Sequence, residues 1–179
     1  INIYILLLIF IAGASLLAYL IIYVPRFDYI QGRIFSFFNR ETGTHNFQSD
    51  KAIESITSGG FFGKGIGEGV LKNRVPEAHT DYIISVISEE FGVVAIMLIL
   101  LLFLILIYMV FKKISFETND KVKLILIGSI SLILMQATIH VGVNIRLFPT
   151  TGMTLPFLSY GGSSIISTSI LAGIILNLT

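Results

Sequence analysis

The chain has 179 residues, 54% of them hydrophobic and 13% charged, with a formal net charge of +1 and no cysteine. Such a composition excludes a soluble domain, in which about a quarter of residues carry charge, and gives no basic field for a nucleic-acid partner. Without cysteine there is neither a disulfide framework nor a thiolate metal site.

The chain opens at Ile1, inside an apolar run with no basic flank. This is not the pattern of a signal peptide, and further helices are expected ahead of it. The first predicted element is a transmembrane helix over 3–24. About 20 apolar residues at ~1.5 Å each cross a hydrocarbon core of ~30 Å.

Residues 25–80 follow as a long segment without a spanning pattern, and loops of that size are functional or disordered. Phe27, Tyr29, Ile34, Phe35, Phe37, Phe38, Phe47, Ile53 and Ile56 give it apolar surface to bury against membrane or helices, which argues for order. A glycine-rich stretch, Gly59 to Gly69, then brings backbone amides within reach of a ligand. Arg26, Arg33, Arg40, Lys64, Lys72 and Arg74 are either solvated, bound to anionic headgroups, or arranged to hold a pyrophosphate, for which Arg offers two-pronged geometry and Lys a point charge.

The second transmembrane helix is expected over 81–111. Just before it stands Pro76-Glu77-Ala78-His79-Thr80-Asp81. Thr80 or Asp81 caps the helix, where free amides favour a carboxylate; equally, Asp81 at the membrane surface is placed to act as a general base. The two roles are compatible. At 100° per residue Asp81, Ser85, Ser88 and Glu89 share a face that continues to Gly92. Glu89 and Glu90 are costly near hydrocarbon unless they face protein, water or a partner.

A link over 112–123 carries Lys112, Lys113, Lys121 and Lys123, whereas the later link over 146–158 carries only Arg146. Short loops set topology through Lys and Arg, so 112–123 is cytoplasmic and both 25–80 and 146–158 lie outside. Between the two links a third helix is expected over 124–145, with Ser129, Gln136, His140 and Asn144 within about 80° on its wheel. That polar face serves interhelical hydrogen bonding or lines a cavity. His79 and His140 lack the HExxH spacing of a zinc site.

The last block runs from Leu147-Phe148-Pro149-Thr150-Thr151-Gly152 through Leu155-Pro156-Phe157-Leu158-Ser159-Tyr160-Gly161-Gly162-Ser163-Ser164. Two prolines around Gly152 make a rigid turn, and the Gly/Ser run permits close helix approach. No GxSxG elbow supports a serine nucleophile. The fourth helix is expected over 159–178. The fold class is therefore an all-α polytopic membrane protein with four transmembrane helices and a long extracytoplasmic loop.

Two blocks together, Pro76 to Ile83 with Glu89-Glu90-Phe91-Gly92, and Pro149-Thr150-Thr151-Gly152 leading into Leu155 to Ser164, resemble the SEDS (shape, elongation, division and sporulation) family, and its division branch more than its elongation branch. Phe47-Gln48, Gly59 to Gly67, and Arg33 with Phe37 and Asn39 fit the same family; Lys51-Ala52 and Thr151 depart from it. The resemblance covers essentially the whole chain and implies helices seven to ten of a ten-helix protein. It implies a peptidoglycan glycosyltransferase that polymerises lipid II at the outer face of the bacterial cytoplasmic membrane, with Asp81 as the essential carboxylate.

Further implied are substrate or pyrophosphate contacts drawn from Arg33, Lys64, Lys72, Arg74, Glu77, His79, Ser85, Glu89, Ser159 and Ser163. A divalent cation, Mg or Mn, is a further source of countercharge. The implied partners are a class B penicillin-binding protein, other division proteins and the membrane, with no nucleic acid. The chain by itself is expected to be inactive without the missing helices. A lipid II flippase and a non-catalytic division scaffold are the alternative readings, since polar helix faces also serve transport.

Overall fold

The structure is a computed structural model that describes residues 3–39, 44–75 and 78–179, apart from the side chains of 39, 44–46 and 72. Arg40, Pro76, Glu77 and the Lys72 side chain thus lie outside the described residues. Every element found is helical, and the chain divides into two compact units, Ile1–Asn46 and Phe47–Thr179.

In the first unit α1 (Ile3–Tyr23) is apolar throughout, and its side chains are almost all exposed. Pro25 starts a single 3-10 turn, Pro25–Phe27, because its ring cannot continue the α-helical ladder. The chain leaves that turn as α2 (Asp28–Asn39), where the Arg33 guanidinium stacks over the Tyr29 ring at 4.3 Å and donates to its hydroxyl.

The second unit holds most of α3 (Thr44–Gly59), then α4 (Leu71–Arg74), α5 (Ile83–Phe116), α6 (Asp120–Asn144) and α7 (Gly162–Leu178). The long segment read as a loop is therefore largely helical. Residues from α3, α4 and the approach to α5 (Ala52, Leu71, Val75, Ala78, Tyr82) bury one apolar cluster with Val86 and Val143. A second cluster (Val110, Leu126, Ile130, Ile133, Ile175) joins α5, α6 and α7, with α6 packed against both neighbours.

Three helices, α1, α5 and α6, are long and apolar enough to cross a bilayer; α7 is apolar but only 17 residues long. The observed bounds shift the expected ones. The link over 112–123 shrinks to Glu117–Asn119, because α5 and α6 run on past the apolar stretch and carry the four lysines on their ends. Glu117 accepts the amides of Thr118 and Asn119 at 3.0 and 3.2 Å, and Asn119 caps α6 by accepting from Lys121 N at 3.1 Å. Those amides hold the Glu117 carboxyl below its ordinary range.

α5 is two helical segments joined at Gly92, whose φ of 78° and ψ of −177° belong to glycine alone. The break leaves backbone groups without partners along the helix, and the glycine-rich stretch supplies them. Lys64 N and Gly65 N donate to the carbonyls of Glu89 and Glu90 at 2.8 and 3.1 Å, while Val93 N and Val94 N donate to those of Gly60 and Phe61 at 3.0 and 3.4 Å. The backbones meet so closely that a Cβ on Gly92 would lie 2.2 Å from the Phe61 carbonyl oxygen. The segment of α5 beyond the break, 93–116, spans about 36 Å at 1.5 Å per residue, enough to cross ~30 Å of hydrocarbon.

Candidate functional site

The chain approaches α5 through a turn over 78–82, and three consecutive carbonyls of that turn are gripped from elsewhere. Tyr160 N donates to His79 O at 3.1 Å, Ser159 Oγ to Thr80 O at 2.8 Å, and Asn144 Nδ2 to Asp81 O at 3.0 Å. Ser159 Oγ also accepts from Leu155 N at 2.8 Å, which closes the 155–159 turn on itself. The two sequence blocks, joined by a bond between residues 79 apart, thus form one structure.

Asn144 is the hub. Fully buried at the end of α6, it donates to His140 O at 2.9 Å and, through Oδ1, accepts from Ser85 N at 3.2 Å and Ser85 Oγ at 2.7 Å. A first-turn amide of α5 is therefore capped by a side chain of another helix. The N-cap position falls on Tyr82, which makes no side-chain cap bond, one residue beyond the expected Asp81. Asp81 stands one residue ahead of it, with its backbone fixed and its side chain half-buried. Gly152, at φ 70°, lies against that carboxyl, since a Cβ there would be 3.6 Å from Asp81 Oδ2.

The rest of the polar face of α6 serves the same purpose. His140 Nδ1 meets Met153 O at 2.7 Å, and Gln136 Nε2 donates to Thr154 O and Ser164 Oγ, both at 3.0 Å. Thr154 Oγ1 donates to Ser164 Oγ at 2.6 Å. Of the two readings left open for this face, hydrogen bonding between segments accounts for Gln136, His140 and Asn144.

On α5 the expected polar face is buried. Ser85, Ser88, Glu89 and Gly92 are all inside the protein. Glu89 accepts from Lys64 Nζ at 2.9 Å through one oxygen, and from the amides of Val70 and Leu71 at 3.1 and 3.0 Å through the other.

The candidate residues thus separate. Asp81, Ser85 and Ser159 join in one network, with His79 contributing its backbone while its side chain is exposed. Lys64 and Glu89 form an ion pair. Arg74 is exposed on α4, Ser163 is exposed in the first turn of α7, and Arg33 belongs to the first unit with Tyr29. Among the described residues no three His, Asp or Glu side chains are grouped as a metal site. Sequence reasoning missed Gly152 as the neighbour of Asp81; its place between two prolines was the available signal.

A family described as cell cycle protein, FtsW/RodA/SpoVE, matches residues 1–179. The chain is 39% identical over 154 residues to a Caulobacter vibrioides protein named "Probable peptidoglycan glycosyltransferase FtsW", covering 85% of this chain and 39% of that one. It is 40% identical over 134 residues to an Enterococcus hirae protein of the same name, covering 74% and 34%. The chain therefore spans less than half the length of these relatives. A chain of a solved peptidoglycan synthase complex, studied for the coordination of polymerization and crosslinking, superposes with a TM-score of 0.70 at 28% identity, over 97% of this chain and 47% of the other.

Proposed function

The chain belongs to the FtsW/RodA/SpoVE family of cell cycle proteins, and from that membership we propose that the whole protein is a peptidoglycan glycosyltransferase polymerising lipid II during cell division. It works as a multi-pass protein of the bacterial cytoplasmic membrane. α7 is the fourth span of this part: its length of about 25 Å is within a few Å of the ~30 Å core, a mismatch bilayers absorb. The four lysines between and on the ends of α5 and α6 face the cytoplasm. Asp81, Gly152 and the 149–164 block then stand on the extracytoplasmic face.

Asp81 acts as general base. It takes the proton from the 4-hydroxyl of an acceptor GlcNAc as that oxygen attacks the anomeric carbon of a MurNAc linked to lipid pyrophosphate. The bond to pyrophosphate breaks as the glycosidic bond forms, so an α-linked donor gives a β-linked product in one inverting displacement, and no second carboxylate is required. The departing pyrophosphate requires countercharge. Lys64 is paired with Glu89, and Arg74, exposed on α4 in the same unit as Asp81, is offered for that work. A class B penicillin-binding protein crosslinks the strands.

The observation that supports this reading is the grip on His79, Thr80 and Asp81. Three successive carbonyls are tied down by separate parts of the chain while the Asp81 side chain stays half-buried beside Gly152. A base needs such a fixed backbone to meet a hydroxyl at hydrogen-bond distance. Labelled lipid II given to the full-length protein and its transpeptidase partner is expected to yield β-linked polymer. Translocation in liposomes without polymer would instead make the protein a transporter, and neither activity would make it a scaffold.

A further inference from the structure

Glu89 sits where a charge is expensive. It is 2% exposed, inside the protein on the segment of α5 before the break, and a buried carboxylate persists only when fully satisfied. This one is satisfied entirely from one stretch of chain: Lys64 Nζ on one oxygen, the Val70 and Leu71 amides on the other. That same stretch enters the break at Gly92 through the backbone bonds of Lys64 and Gly65. There is no slack around it, because a Cβ on Gly59 would lie 2.0 Å from Ser88 O and one on Gly63 2.1 Å from Glu90 O.

The tether leads to the site. Leu71, held by Glu89, shares its buried cluster with Val75, Ala78 and Tyr82, and Tyr82 directly follows Asp81. We propose that Glu89 is a positioning residue: through Lys64 and the Val70 and Leu71 amides it fixes the 64–71 segment, and with it the approach of the chain to Asp81, without touching substrate. This rests on the reading of Asp81 as the base.

The test uses the full-length protein with its partner, lipid II as substrate, and two variants, Glu89→Ala and Glu89→Gln. Amide exchange at Val70 and Leu71 reports the tether whether or not Asp81 is the base, and steady-state kinetics report its use. Glu89→Ala is expected to speed exchange at both amides by about tenfold or more. It is expected to lower kcat by about tenfold while KM stays within about threefold, the signature of lost transition-state geometry rather than lost binding. Glu89→Gln keeps an acceptor oxygen and is expected to recover part of the protection and part of kcat; should Glu89→Ala fail to fold, this variant is read alone against the wild type. Unchanged exchange at Val70 and Leu71 would overturn the proposal, as would faster exchange with normal kcat. A rise in KM at constant kcat would overturn it too, by making Glu89 or its Lys64 partner a substrate contact. An active Asp81→Asn protein would sink the base assignment while leaving the exchange result intact.

Discussion

At the scale of single residues, Asn144 bears more of the site than any group in the two sequence blocks. Its amide satisfies Asp81 O, His140 O and both polar groups of Ser85. Asn144→Ala removes four buried hydrogen bonds, at about 1–3 kcal/mol for each group left without another partner. The expected result is a lower unfolding midpoint in detergent and a lower polymerisation rate, whereas Asn144→Asp keeps the acceptor for Ser85 and loses only the donors. Asp81 stands out in the sequence as a candidate because a carboxylate beside Thr and His directly precedes an apolar run. Asn144 was legible as a member of a polar face, but its partners lie 59 and 63 residues away, and no spacing rule reaches that far.

At the scale of elements, the break in α5 divides a membrane-crossing segment from a segment built into the site. Gly92→Ala forces a side chain into a glycine-only conformation and against the Phe61 carbonyl at 2.2 Å, a combination that expels the glycine-rich stretch. Limited proteolysis is expected to cut near Phe61 and Phe62 in this variant and to spare the wild type. Gly152→Ala is milder, since its Cβ makes ordinary contact with Asp81 and only the positive φ is strained, at about 1 kcal/mol.

The turn between α5 and α6 is expected to respond to pH. Glu117 has its carboxyl held below the ordinary value of 4.5 by the Thr118 and Asn119 amides. Its contribution is therefore present above that value and lost as pH falls through the lower folded value. The protection factors of those two amides, each referred to the intrinsic exchange rate at the same pH, are expected to fall in acid, and Glu117→Gln is expected to remove that pH dependence. The apolar runs made the long helices legible. The break was not, because the apolar pattern continues unbroken past Gly92, and α3 and α4 were not, because α3 is of mixed polarity with no period that stands out from a loop and α4 is four residues long.

For the whole molecule, the proposed topology rests on the lysines at one end of α5 and α6 and the two motif blocks at the other. The chain has no cysteine of its own, so single cysteines report each face without interference from it. In a full-length protein otherwise free of cysteine, an impermeant thiol reagent added to intact cells is expected to label Thr151→Cys and to spare Thr118→Cys; the reverse pattern would invert the orientation. The family was legible because two long blocks recur in order. The part each basic residue plays was not, because charge at a membrane rim serves solvation, lipid and pyrophosphate alike.

On the proposed mechanism the Asp81 carboxylate accepts the proton of the attacking hydroxyl. The initial rate of glycan polymerisation by full-length Asp81→Asn protein with its partner tests it most directly. The substitution keeps the backbone bond to Asn144 and removes the base, so the rate is expected to fall by about 10²–10⁴-fold with the protein still folded. A folded Asp81→Asn protein polymerising within about twofold of the wild-type rate would contradict it.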